Sequence, residues 1–257
     1  MLLAYVIRND KITLGFIRDG ALAGSAAIGT DERKTADEYA VLLKNILEFK
    51  GFSVNDFDAA ICASVVPALT ETVREAVKSV LGTRAHLIGS GIKTGLTILT
   101  ENPAELGTDL VATAVGALSK YTPPLVLIEC GTAITFSYLD HTGSFLGCAI
   151  APGLSLSARA LSCAAGLLPE VAYTAPRTVL GKNTAESLRA GTLLATASMM
   201  DGMLSRIEKE HGAATVIALG DEADAILPHL ERIVMRDDTL TLIGLSEIYK
   251  KNKRPKK

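Results

Sequence analysis

The chain holds only four cysteines, Cys62, Cys130, Cys148 and Cys163, and none falls in a C-x-x-C pair. That spacing gives no disulfide framework and no zinc-ligand pattern, and it points to reduced thiols and a cytoplasmic location. Its histidines, at 86, 141, 211 and 229, stand alone. There is no excess of either charge: 26 Lys and Arg face 28 Asp and Glu, for a net charge of −2. A chain without a broad basic field is not expected to bind nucleic acid. No apolar run approaches the roughly 18 residues of a membrane span, so no membrane partner is expected. The apolar start, Met1 to Arg8, lacks a basic n-region and a small-residue cleavage site, and reads as a first strand.

What is present is an ordinary globular composition, 48% apolar and 21% charged over 257 residues. That length suits one large domain or two small ones. Ile12 to Ile17, the turn Arg18-Asp19-Gly20 and Ala21 to Ile28 continue the first strand into a three-stranded meander. Thr35 and Glu38 have capping-box spacing at the head of a helix whose apolar face is Ala36, Tyr39, Leu43, Ile46 and Leu47. Ala59 to Val66 reads as a strand buried on both faces, and Pro67 opens a second helix. A helix is expected from Asp109 to Leu118, after Gly107.

A second series follows Pro123-Pro124. Strands are expected at 125–128, 133–139 and 145–151, then a long helix capped by Asn183 with Glu186 three residues on. Leu193, Ala197, Met200, Leu204 and Ile207 form its seam, and the methionines at 199, 200 and 203 read as core or interface packing. A strand at 215–219 and a helix at 239–250 complete it. Shifting the first series by 123 residues places Gly20 on Gly143, Gly24 on Gly147 and Ala26 on Ala149, which suggests a duplicated β-β-β-α-β-α unit. The expected domains are 1–115 and 116–250. The basic run at 251–257 reads as a solvated tail.

One segment suggests chemistry. In Glu129-Cys130-Gly131-Thr132-Ala133-Ile134-Thr135 the turn offers a glycine, two threonine hydroxyls and exposed backbone N–H groups, which suit phosphate oxygens. By itself it reads equally well as a plain β-turn. The chain also carries Arg33-Lys34-Thr35-Ala36-Asp37-Glu38-Tyr39, Ser64-Val65-Val66-Pro67, Lys93-Thr94-Gly95-Leu96, Asn102-Pro103 with Gly107-x-Asp109, Ala151-Pro152-Gly153, Gly181-Lys182-Asn183-Thr184 and Leu240-Thr241-Leu242-x-Gly244-Leu245.

In this order and spacing the set resembles the type III pantothenate kinases over residues 1 to about 250. The resemblance implies an α/β fold of two ribonuclease-H-like domains, in the superfamily of acetate and sugar kinases, heat-shock chaperones and actin. It implies transfer of the ATP γ-phosphoryl to pantothenate, the first step of coenzyme A synthesis. It also implies Mg²⁺, a monovalent cation (K⁺ or NH₄⁺), and a dimer.

Residue by residue, the resemblance is uneven. The family's first phosphate loop, D-x-G-N-T, is here Val6-Ile7-Arg8-Asn9-Asp10, and only Asn9 survives. Valine offers a hard cation no oxygen. Arg8 reads either as a phosphate ligand or as half of a surface turn with Asp10. In the second loop Gly131, Thr132, Ala133 and Thr135 match, and Glu129 stands for the aspartate that binds the monovalent cation. In the substrate strip, Thr100 replaces an aromatic residue, and Gly107, Thr108, Asp109 and Leu110 stand where the family has G-A-D-R. Asp109 matches the general base, or reads as a simple helix cap. Leu110 replaces the arginine that holds the substrate carboxylate. Thr184 matches a residue completing the pantothenate pocket of the neighbouring subunit. Gly220 keeps one glycine of the adenosine loop. Two readings stand against a working kinase. One is a degraded subunit that acts with an intact paralogue as a heterodimer, and the other is a non-enzymatic binding or regulatory protein.

Overall fold

The computed structural model describes residues 1–253; of the basic tail, residues 254–257 lie outside the described residues. The chain divides into two compact units, 1–121 with 239 onward, and 122–238. In the first, β1 (Leu2–Ile7), β2 (Lys11–Arg18) and β3 (Ala21–Gly29) form the expected meander. β4 (Ala59–Ser64) then lies parallel to β1, with β5 (His86–Leu87) beyond it, giving the order β3-β2-β1-β4-β5.

Strand periodicity explains how β1 is buried along its whole length. Leu3, Tyr5 and Ile7 pack in one apolar cluster with Tyr39, Leu43 and Leu47 of α1 (Ala36–Phe49) and Leu69, Val73 and Val77 of α2 (Pro67–Leu81). Leu2, Ala4 and Val6 pack in another with Ala112 and Val115 of α3 (Thr108–Lys120). The Thr35–Glu38 capping box forms as expected, with both reciprocal bonds present.

The second unit repeats this plan. β6 (Leu125–Cys130), β7 (Ala133–Leu139) and β8 (Phe145–Pro152) form a second meander, and β9 (Thr215–Leu219) runs parallel to β6 with β10 (Met235–Arg236) beside it. The order β8-β7-β6-β9-β10 matches that of the first sheet. Gly20 and Gly143 hold equivalent turns at φ of 85° and 79°. α4 (Leu154–Ala164), α5 (Thr184–His211) and the short α6 (Ala223–Ile226) complete the unit. The α5 seam of Leu193, Ala197, Met200 and Leu204 is buried against Val126, Ile128 and Cys130, with Met199 and Met203 packed at its margin.

The compact units divide the chain after residues 121 and 238. α7 (Leu240–Asn252), expected in the second domain, packs with the first. Glycines make this possible. A Cβ on Gly116 of α3 would overlap the Leu240 carbonyl, and one on Gly244 would overlap the Ala112 carbonyl. The two backbones can therefore touch, and the Thr113 and Thr241 hydroxyls bond at 2.8 Å beside the contact. Among the described residues no helix is long and apolar enough to cross a membrane.

Candidate active site

In the first unit the site residues gather where β1 and β4 end. Ile7 and Ser64 are partners in the parallel ladder, so both strands deliver their following loops to one place. The β1–β2 turn carries Arg8 and Asn9. The Arg8 N–H donates to Lys11 O at 3.0 Å, and the Thr30 hydroxyl donates to Arg8 O at 2.6 Å. Asn9 is exposed.

Gly107 caps α3 without a side chain, and Thr108 anchors it. The Thr108 hydroxyl accepts the Ser64 N–H and donates to the Ser64 carbonyl, both at 3.0 Å. This pair of hydrogen bonds fixes the first turn of the helix and hence Asp109. Asp109 Oδ1 accepts the Leu110 N–H at 2.9 Å, and Arg8 Nε lies 3.3 Å from Oδ2. Both side chains are mostly buried, with 19% of Arg8 and 13% of Asp109 exposed. Arg8 therefore reaches beyond its own turn to the candidate base. Leu110 is half-buried, and the Thr100 hydroxyl is buried with no hydrogen-bond partner.

Val6 stands where a metal-binding acid is expected, and it is wholly buried among Ala4, Ala63, Ala112 and Leu242. That position does not fit Mg²⁺, because a hard cation takes oxygen ligands and this cluster supplies none.

In the second unit the Gly131–Thr132 turn joins β6 to β7. Gly131 N–H donates to Ala133 O at 3.1 Å, and Gly153 N–H donates to Thr132 O at 3.0 Å. A Cβ on Gly153 would overlap the Gly131 carbonyl, so only glycine allows α4 to start against this turn. Glu222 completes the arrangement. Its Oε2 accepts the Leu154 N–H at 2.7 Å and its Oε1 the Ser155 N–H at 2.9 Å, which caps α4 with a carboxylate. Gly220, at φ 103°, lies so close to Cys130 that a Cβ would overlap its carbonyl, and Gly220 N–H donates to Asp238 at 2.8 Å.

Glu129 and Thr135 face each other across the β6–β7 ladder. Glu129 Oε2 is buried, and the Thr135 hydroxyl is buried with no hydrogen-bond partner. A carboxylate and an unsatisfied hydroxyl are ligands a monovalent cation accepts, so this pair fits one. Burial pushes the Cys130 thiol up to about 12, and the negative charges of Glu222 and Glu129 add to the effect. Thr184 is exposed at the first position of α5, beside Asn183, whose side chain accepts the Glu186 N–H at 2.9 Å.

Two sets of candidate residues thus emerge, one in each unit. Asn9, Gly107, Thr108, Asp109 and Leu110 share the first, Glu129, Gly131, Thr132, Thr135 and Gly220 the second, and Thr184 stands with neither by any hydrogen bond described. Sequence reasoning missed Arg8 as the partner of Asp109 and Glu222 as the cap of α4.

A family model described as type III pantothenate kinase matches residues 2–206. The chain is 37% identical over 254 residues to a type III pantothenate kinase of Exiguobacterium sp., covering 99% of this chain and 100% of the relative. Among solved structures, the activator of 2-hydroxyisocaproyl-CoA dehydratase from Clostridium difficile, with bound ADPNP, aligns at a TM-score of 0.56 and 12% identity, covering 100% and 98% of the two chains. A glucokinase of the ROK family from Streptomyces griseus, with glucose and AMPPNP, aligns at 0.53 and 12% identity, covering 97% and 99%. At these identities the two structures speak for the fold alone.

Proposed function

The chain belongs to the type III pantothenate kinase family, and from that membership we propose that it is a degraded subunit, inactive alone, that serves ATP-dependent pantothenate phosphorylation as the partner of an intact paralogue. The observation that carries this reading is the first phosphate loop. Its metal-binding position is Val6, buried among apolar side chains, and its glycine position is Arg8, a long side chain engaged with Asp109. Phosphoryl transfer works chiefly by positioning and charge stabilisation. A subunit that has lost the oxygen ligand and the close backbone approach has lost both there.

The second loop is better kept, which supports descent from an active enzyme. Gly131, Thr132 and Thr135 remain, and Glu129 with Thr135 would hold K⁺ or NH₄⁺ and so place positive charge beside the ATP phosphates. In a working relative Asp109 would take the proton from the pantothenate hydroxyl, with Gly107 and Thr108 holding it in place. Thr184, exposed at the head of α5, would instead serve the pocket of the other subunit.

Apolar surface in the second unit supports an assembly. Leu156 and Leu161 of α4 are exposed, as is Ile150 on the edge strand β8. A catalytically competent kinase is the second reading, favoured by the intact hydrogen bonding around Asp109.

Calorimetry of Mg-ATP with the purified chain tests the proposal. The expected dissociation constant is weaker than about 1 mM, as the loss of several charge-assisted contacts of roughly 1.5–3 kcal/mol each requires. Micromolar binding by the isolated chain would overturn it in favour of the competent kinase.

A further inference from the structure

We propose that Glu222 is an autoinhibitory residue, a built-in anion whose carboxylate sits beside the Gly131–Thr132 turn and keeps polyphosphate off it. The inference rests on the reading of that turn as the second phosphate loop, and adds its regulation. It starts from where the carboxylate lies. Oε2 accepts the Leu154 N–H at 2.7 Å and Oε1 the Ser155 N–H at 2.9 Å, so each oxygen takes one backbone donor. The residue before them, Gly153, donates its own N–H to Thr132 O at 3.0 Å. A Cβ built on Gly153 would overlap the Gly131 and Thr132 carbonyls and would lie 3.0 Å from Glu222 Oε2. One glycine therefore separates the carboxylate from the turn.

The charge of Glu222 is not cancelled by a cation. Among the described residues it forms no ion pair, and its partners are the two N–H dipoles. Asp238, which takes the Gly220 N–H on the same loop, differs in this respect, because Arg236 Nε meets its Oδ2 at 2.8 Å. The backbone holds Glu222 close as well, since its N–H donates to Cys130 O at 3.2 Å, one residue before the turn. Cys130 registers the charge: burial raises its thiol most, and Glu222 is the next contributor.

Polar N–H groups of this kind favour an anion, and the chain supplies one that needs no association from solution. A polyphosphate approaching the turn then meets a fixed like charge a few ångströms away, in a partly buried setting where water screens it poorly. A carboxamide in place of the carboxylate keeps the shape and an acceptor oxygen and removes the charge. The effect of charge can thus be separated from the effect of capping α4.

The test is an NMR titration of the full chain with inorganic tripolyphosphate, without Mg²⁺ or nucleotide, read at the Gly131, Thr132 and Ala133 amides. Glu222→Gln should bind at least about tenfold more tightly than wild type, with the shifts centred on those amides. Glu222→Ala, the second neutral variant, should gain in the same direction, and Glu222→Asp, which keeps the charge, should stay close to wild type. Gly131→Ala added to Glu222→Gln should cancel the gain. Within the fold its Cβ would meet only Ala133 O, at 3.9 Å, while it fills the face on which a phosphate must approach the backbone. Thermal unfolding checks each variant. A capping role alone would lower the melting temperature of the neutral variants and leave their affinity at the wild-type value, and that result overturns the inference. So does a gain in Glu222→Asp equal to that in Glu222→Gln, or a gain that survives Gly131→Ala. Micromolar Mg-ATP binding by the wild-type chain would overturn the degraded-subunit reading alone, because the ratio between Glu222→Gln and wild type is measured without metal or nucleotide.

Discussion

Thr108 and Ser64, 44 residues apart, exchange two hydrogen bonds of 3.0 Å through one hydroxyl, and this pair seats the head of α3 on the end of β4. It keeps Asp109 in place at the first turn of α3. Thr108→Val removes both bonds at nearly constant volume and leaves two backbone groups of Ser64 without their partner. The expected loss is about 2 kcal/mol in urea unfolding. A loss below about 0.5 kcal/mol would show that the junction holds without it.

Val6 gives a prediction of opposite intent. Placing an acid there puts a carboxylate in a cluster with no polar partner, so Val6→Asp should destabilise the chain by about 3 kcal/mol or more at pH 7. Burial raises the pKa of such a carboxyl, so the penalty should shrink near pH 4. Mg-ATP binding should not appear in this single variant. Combining it with Arg8→Gly, Asp10→Thr and Leu110→Arg should be required, because residues that act as a unit are not additive.

Gly220 tests the second loop. Its φ of 103° and its contact with the Cys130 carbonyl leave no room for a side chain. Gly220→Ala should cost about 2–4 kcal/mol in denaturant unfolding. Gly212 also has positive φ but opens on space, so Gly212→Ala should cost less.

Acid sensitivity follows from the surface carboxylates. Hydrogen bonds from Arg33 hold Asp31 well below the usual range, and those from Thr35 lower Glu38. A carboxyl whose folded pKa is depressed contributes stability above its unfolded pKa and loses it as pH falls through the folded value. The melting temperature should therefore drop between about pH 5 and pH 2. Asp31→Asn should flatten that slope, and an unchanged slope would remove Asp31 from the account.

Much of the fold was legible because its signals are local. Alternating apolar residues, the Thr35–Glu38 box, Pro67 and Asn183 each act within a few residues, and the elements they mark all formed. The duplication showed in Gly20 and Gly143 because both meanders need a positive φ at the same turn. The home of α7 was not legible. Its periodicity says only that it is a helix, while its partner is chosen by Gly116 and Gly244, more than a hundred residues apart in sequence. β5 and β10, two residues each, carry no pattern to read. In the site, the apolar side chain at position 6 could be read from the sequence alone. The Arg8–Asp109 pair could not, because 101 residues separate its members and Asp10 offered a nearer partner in sequence.

The central claim, that this chain works only through an intact partner, is tested most directly by kinetics on a complex co-expressed with an intact family member from the same genome. Thr184→Ala in this chain should lower pantothenate use, by about 0.5–1.5 kcal/mol in transition-state stabilisation. Asp109→Asn in this chain should leave turnover nearly unchanged. The claim is contradicted if no complex forms, or if Asp109→Asn abolishes activity while Thr184→Ala does not.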